Sequence, residues 1–558
     1  MTLSTQVSGP AGPRLLIHAL AIVACHLVAV NSAGAQAPQA RGADAEANQQ
    51  AVGQRLYREG IRPSGEPLTS VGSARTQRAG KDAACAACHR RSGYGTSEGQ
   101  LVIRPIIGPA LLQEQTVPVR SPRVKARLGT SQRPAYTEAL LARAIRTGLD
   151  ASGKPLDPAM PRYVLSDAEM KSLAAYLFSL SAQPSPGVDE HSIHFATVIQ
   201  PGVAPARRRA MLDVMQAFVK DKGGSARQEE QRRDAGNMRM ARSFRKWVLH
   251  VWELSGPSET WNAQLESYYS QQPVFALIGG LGESSWRPIH EFSERLEIPS
   301  VFPLVDLPVV AGPNSYNLYL SKGVVLEAEV LAKFLREQRD AGKILQVYRR
   351  GDPGAVAAGA LRSALQSDVA LDDVVLEGQA DEAFWRKVYG ANPGSLVLWL
   401  GAADLERTLA PRNASAPTLY LSSSVLSGRL PAETLKASSN VRLVYPSDLP
   451  PKRDARLLRD KHWLHIKGIS NIDETVQINT LFAMTVVSDV LGHMMDSFSR
   501  DFFVERIEHT VGQTPMASIY PSVSLGPGQR FAAKGSSIVQ VLDADKKQLK
   551  AVSGWIVP

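Results

Sequence analysis

Cysteine is nearly absent from this chain: 558 residues hold three, at positions 25, 85 and 88. A disulfide framework is thereby excluded. Cys25 falls inside an N-terminal leader, and Cys85 with Cys88 would close a ring so short that it constrains little of the unfolded chain. Long apolar runs are missing beyond the first thirty-odd residues, so no membrane-spanning segment is expected in the mature chain. The formal charge of +10 carries no aromatic interleaving and no nucleic-acid motif, even in the basic stretch from Arg227 to Lys246, and it reads as solvated surface with no nucleic-acid partner. No Ser-His-Asp order, paired-carboxylate site or nucleotide fingerprint stands out, which argues against a self-contained enzyme. The length exceeds what one hydrophobic core can serve and implies three or four compact units.

The leader itself is informative. Arg14 supplies positive charge, Leu15 to Val30 is apolar, and Ala33-Gly34-Ala35 offers small residues before Gln36. This is the pattern of an export signal over 1–35, which predicts a periplasmic protein. Lipid anchoring at Cys25 is the competing reading. It is disfavoured because the apolar run continues past that cysteine and ends in small residues.

The remaining pair lies in Cys85-Ala86-Ala87-Cys88-His89. Two thiols at this spacing can add to two vinyl groups along one porphyrin edge, and the adjacent imidazole can then coordinate the iron. A redox dithiol would want a thioredoxin-like setting, and a zinc site would want further thiolates or histidines close by. One covalently attached haem c is therefore expected, with His89 as iron ligand. A second ligand is offered by Met160, in Asp157-Pro158-Ala159-Met160-Pro161, where flanking prolines bar a regular helix and stiffen the loop. Met170 is the rival, but it belongs to a helical stripe from Ser166 to Leu180 and reads as core. A thioether opposite a histidine raises the reduction potential relative to two histidines, which suits a carrier taking electrons from a dehydrogenase.

The residues from Asn48 to Leu180 resemble a class I cytochrome c in order and type. The resemblance rests on Gly53 and Tyr57 in a first helix, the attachment motif, Gly108-Pro109-Ala110-Leu111, a helix from Tyr136 to Thr147 ended by Gly148, the Met160 loop, and a last helix bearing Leu173 and Tyr176. It implies an all-α domain over 45–181 in which the first and last helices cross at Gly53. It also implies that the carbonyl of Pro109 accepts the His89 ring N–H.

A polar, Pro-containing stretch follows and reads as a linker over 182–191. Beyond it, strand-like runs at His194 to Ile199, Trp247 to Leu254, Val274 to Gly279 and Ser300 to Val305 alternate with amphipathic helical segments. A second set lies at Ile344 to Tyr348, Val374 to Glu377, Leu396 to Leu400, Thr418 to Leu421 and Arg442 to Tyr445. This is α/β wrapping in two consecutive lobes. The half over 192–558 resembles a type I periplasmic substrate-binding protein of the branched-chain amino-acid or amide kind. The resemblance rests on Phe275-Ala276-Leu277-Ile278-Gly279-Gly280, Ile298-Pro299-Ser300-Val301-Phe302-Pro303, Tyr316 to Tyr319 and Leu525-Gly526-Pro527-Gly528-Gln529-Arg530-Phe531.

It implies two Rossmann-like lobes hinged around a small polar ligand. Gly280, Ser284 and Ser285 would then supply first-lobe contacts, because a helix N-terminus and serines there suit a carboxylate. Phe302, Glu377, Trp399 and Ser422, at strand ends, are the candidates facing them. His462 and His465 lack further ligands for a metal, and the segment holding His493, Met494 and Met495 reads as a buried helix. The expected partners are a periplasmic dehydrogenase or a terminal acceptor cytochrome, steered by charge, together with a small polar ligand. The function expected is one-electron transfer, with a solute-binding or sensor role for the second half as the alternative.

Overall fold

The computed structural model describes residues 38–72, 76–98, 101–114, 133–234, 245–338, 342–365, 369–406, 417–427, 440–494, 497–512, 517–543 and 548–558. The leader with Cys25, and most of the basic stretch from Arg227 to Lys246, lie outside the residues whose side chains are described.

The N-terminal domain is built on two crossing helices, Pro38–Glu59 and Asp167–Ser179. They meet at Gly53, where a Cβ would stand 2.1 Å from the Ser172 carbonyl oxygen, so only hydrogen fits. The second helix starts with a full capping box: the Ser166 hydroxyl accepts from the Glu169 amide while the Glu169 carboxylate accepts from the Ser166 amide. Between them lies the helix Glu138–Thr147, capped by Thr137 and ended by left-handed Gly148. One core unites Leu56, Tyr57, Cys85, Leu111, Leu141, Ile145, Met170, Leu173 and Leu177. The domain is not all helical. Thr69–Val71 pairs antiparallel with Gln77–Ala79 and with Arg162–Tyr163, and Thr96–Glu98 pairs with Leu101–Ile103. These short pairs are connectors that satisfy backbone groups where turns rich in glycine and proline interrupt the helices.

The second half forms two α/β lobes, each around a seven-stranded sheet. In the first, Ser192–Ile199 is central, flanked by Lys246–Glu253 and Ala276–Ile278, and the pairings are parallel. Ser300 to Val305 breaks into two short strands because Phe302 sits at φ 54°, a left-handed conformation that ends one extended run before the next. In the second, Leu371–Val375, Ile344–Tyr348, Ser395–Trp399, Thr418–Ser422 and Val441–Tyr445 run parallel. Two late strands, Ser537–Asp543 and Gln548–Ala551, add on antiparallel.

The lobes are not consecutive in the chain. After Val441–Tyr445 the backbone returns to the first lobe, where Leu457, Leu464, Ile478 and Leu481 pack on Val214. The helix Glu474–Met494 is long and apolar enough to span a membrane, against expectation, but most of it is buried in the first-lobe core. The chain then crosses a third time into Ser537–Asp543. Three crossings, near 319–323, 446–449 and 533–536, therefore join the lobes. At the first and third the strands run together: Tyr319 donates to the Arg530 carbonyl, Ala532 to Tyr319 and Ala533 to Leu320.

Candidate functional site

Cys85 and Cys88 bracket a single helical turn, Ala86–His89, and both thiols are free. Burial pushes the Cys85 thiol up to about 12, a shift that the neighbouring Cys88 adds to and its own backbone opposes. His89 Nδ1 lies 3.1 Å from the carbonyl oxygen of Arg104. The expected acceptor, Pro109, instead occupies the first turn of the helix Gly108–Leu112, where its missing N–H costs nothing. Arg104 directly follows the strand Leu101–Ile103, which pairs antiparallel with Thr96–Glu98, and its carbonyl is the one within reach of the ring. Burial lowers the His89 pKa, opposed by the Arg104 carbonyl. Both effects act on the ring that would carry the ligand nitrogen: burial disfavours its charged form, and the Arg104 carbonyl suits a proton on Nδ1, which would leave Nε2 as the lone-pair nitrogen.

Met160 sits in a turn made by its own amide on the Asp157 carbonyl (3.0 Å) and by the Ala159 amide on the Asp157 carboxylate (2.8 Å). Arg162 clamps the Met160 carbonyl from the other side. Its side chain packs on the same core as Cys85, together with Ala86. Met170 is buried in that core, as its helical stripe requires. Two free thiols and an imidazole on one turn, with Cys85 and the Met160 side chain on one apolar core, are the donor types a c-type haem needs. Residues 73–181 match the cytochrome c family model.

This cytochrome domain does not hang free. The residues after His89 dock on the first-lobe helix Arg500–Val511. Tyr94 stacks on Phe502 with centroids 3.9 Å apart. The Glu505 carboxylate accepts from the Ser92 amide (3.0 Å) and hydroxyl (2.5 Å). Asp501 accepts from Arg58 (2.7 Å), Arg91 (3.2 Å) and the Tyr316 hydroxyl (2.7 Å). Glu508 accepts from Arg90 and Arg530, each at 2.5 Å. The stretch expected as a linker is pinned too: Ser185 donates to the Phe498 carbonyl at 2.8 Å, and Arg500 reaches the carbonyls of Pro186, Val274, Phe275 and Leu296. Asp501, Glu505 and Glu508 escaped the sequence reading. Their spacing of four and three residues places them on one helical face, the signal that was there to be found.

The seven expected ligand contacts are not brought together. Gly280, Ser284 and Ser285 share one loop, but the Ser284 donors are already used. The Ser284 amide and hydroxyl donate to Oε1 of buried Gln200 at 3.2 and 2.9 Å, and Gln200 Nε2 donates to the Ser285 carbonyl at 3.0 Å. Gly280, at φ 118°, lies under Trp286 and offers only its carbonyl, which Leu304 takes. Phe302 is wholly buried against Phe482. Trp399 is buried with its indole N–H on Gln346 (3.0 Å), and Ser422 is buried with its hydroxyl on Glu327. These three are core residues, because helices cover the strand ends that were expected to open on a cleft. Glu377 is exposed, loosely paired with Arg350 at 4.0 Å. Among the described residues no group of three metal-ligating side chains occurs.

Nothing among curated proteins matches the chain. Solved structures similar to it include a leucine binding protein from Thermotoga maritima (14% identity, TM-score 0.47, 66% of this chain and 99% of that one). Another is a type 1 periplasmic binding protein from Bordetella pertussis (12%, 0.48, 65% and 100%). A third is a branched-chain amino acid ABC transporter protein from Thermus thermophilus with bound valine (12%, 0.46, 66% and 97%).

Proposed function

We propose that the chain is an exported, periplasmic monohaem c-type cytochrome that transfers single electrons, with a two-lobed binding-protein-like module as its docking or sensing part. Cys85 and Cys88 would hold the haem through thioethers, and His89 and Met160 would ligate its iron. The observation that carries this is the attachment turn itself: both thiols are free at the two ends of one turn, and the His89 ring is oriented by a backbone carbonyl. A bound haem supplies reversible one-electron chemistry at its iron. The chain's own share is to keep the imidazole neutral, to fix the Met160 loop through Asp157 and to close the apolar core around both. His89 and Met160 together would leave the iron no open position for substrate, and the protein is read on that ground as a carrier and not as an enzyme.

The second half supports two readings. Its three crossings between lobes, two of them paired, suit a hinge that closes on a small polar ligand. Gln200 favours docking of a partner such as a dehydrogenase or an acceptor cytochrome, because its side-chain oxygen already takes up the Ser284 donors a solute carboxylate would need. The test is expression in a host competent in cytochrome maturation. Red protein with a mass one haem above the bare chain and a low-spin spectrum is expected; colourless protein of bare mass overturns the proposal. Thermal-shift screening of amino acids, amides, alcohols and short acids then separates ligand binding from docking.

A further inference from the structure

The carboxylates of the helix Arg500–Val511 do more than hold two domains together, because one of them is shared. Glu508, only 4% exposed, receives Arg90, the residue directly after His89, and also Arg530, which is 10% exposed. Arg530 stands at the hinge: its backbone carbonyl accepts from Tyr319 on the first crossing strand, and its Nε donates to the Asn314 carbonyl at 2.9 Å. Glu508 also accepts from the Gly528 amide at 3.1 Å, in the same turn as Arg530. A buried carboxylate between two guanidinium groups cannot move toward one without weakening its bond to the other. One path from the residues after His89 to the hinge therefore runs through Glu508, beside a second that runs from Arg91 through Asp501 to the Tyr316 hydroxyl.

We propose that Glu508 is a positioning residue for the haem site, supplied by the binding-protein-like half, and that through it the haem and the inter-lobe hinge are energetically coupled. This rests on the reading that Cys85 to His89 carries a haem. Its charge lies close to the attachment turn, so it stabilises the oxidised iron to the extent that Arg90 and Arg530 leave it unneutralised. Shifting Arg530 with the lobes changes that neutralisation. Reciprocity then requires the oxidation state to bias the hinge by the same free energy.

The experiment uses haem-loaded full-length protein, checked for a low-spin spectrum and far-ultraviolet circular dichroism unchanged from wild type. The midpoint potential is measured for wild type, E508Q, R530Q, R530K and the double variant E508Q/R530Q. E508Q should raise the potential and R530Q lower it. R530K should stay near wild type, and the R530Q shift should shrink in the E508Q background, the non-additivity expected of partners. R349Q, which breaks the remote pair with Asp404 in the second lobe, serves as control and should leave the potential unmoved. Amide hydrogen exchange at Tyr319, Ala532 and Ala533 should differ between oxidised and reduced wild type, and the difference should vanish in E508Q. Haem-loaded R530Q with the potential of wild type, together with redox-independent exchange at the three amides, overturns the coupling alone. Colourless protein overturns the underlying reading as well.

Discussion

At the attachment turn the orienting bond to His89 comes from the backbone carbonyl of Arg104, which a change of that side chain leaves in place. Arg104→Ala should therefore leave the haem spectrum unchanged, read by absorption of the haem-loaded protein. Met160 is the opposite case, because its side chain is the proposed ligand. Met160→Ala should convert a six-coordinate low-spin spectrum to a five-coordinate high-spin one and lower the midpoint potential, read by absorption and redox titration. A low-spin spectrum in that variant would move the ligand elsewhere. Met170→Ala, a core truncation, should instead cost about 2–5 kcal/mol and leave the iron's spin state alone.

Among elements, the crossing of Pro38–Glu59 with Asp167–Ser179 is the most exacting contact in the cytochrome domain. Gly53→Ala would force a methyl against the Ser172 carbonyl and the Tyr176 Cβ, both backbone-fixed positions. It should destabilise the domain by about 1–3 kcal/mol, measured by denaturant unfolding of the haem-loaded protein. This contact was legible only through the resemblance to a cytochrome c, since Gly53 and Ser172 lie far apart in the chain; the attachment turn, the Met160 loop and most strands of both lobes were legible because each depends on residues near one another or on a simple alternation, although the run expected from Val374 to Glu377 is a strand at Leu371–Val375. The strand-end candidates were not. Whether Phe302 faces a cleft or a core depends on its positive φ and on the helix Glu474–Met494 laid over it from nearly 180 residues downstream. The Gln200 side chain, likewise, reaches Ser284 only once the sheet has aligned two strands 84 residues apart in sequence. The docking helix was hidden for the same reason: its carboxylates meet Arg90, Arg91 and Ser92 across more than 400 residues, and no local pattern reports such a partner.

For the molecule as a whole, the distribution of charge follows from that docking. Residues 45–181 hold 19 Lys and Arg against 11 Asp and Glu, so the haem domain carries most of the chain's positive excess and meets the acidic face of Arg500–Val511. One carboxylate of that face reports on the docked state. Burial pushes Glu505 up to about 7, against the pull of the Ser92 hydroxyl, the Ser92 amide and Arg90, while Asp501 pushes it further up. Tyr57, buried nearby, feels the same negative charge. Undocking returns the carboxyl to ordinary values near 4.5. Between those two values the docked state keeps a proton that the undocked state has released, so docking weakens as pH rises through this window and the loss is complete above about 7. Limited proteolysis of the linker between pH 5 and 8 should therefore show faster cleavage at the upper end at fixed protease activity, and E505Q should flatten that dependence. Equal pH dependence in wild type and E505Q would mean that Glu505 does not report docking, and that the seam is governed by its arginine pairs alone.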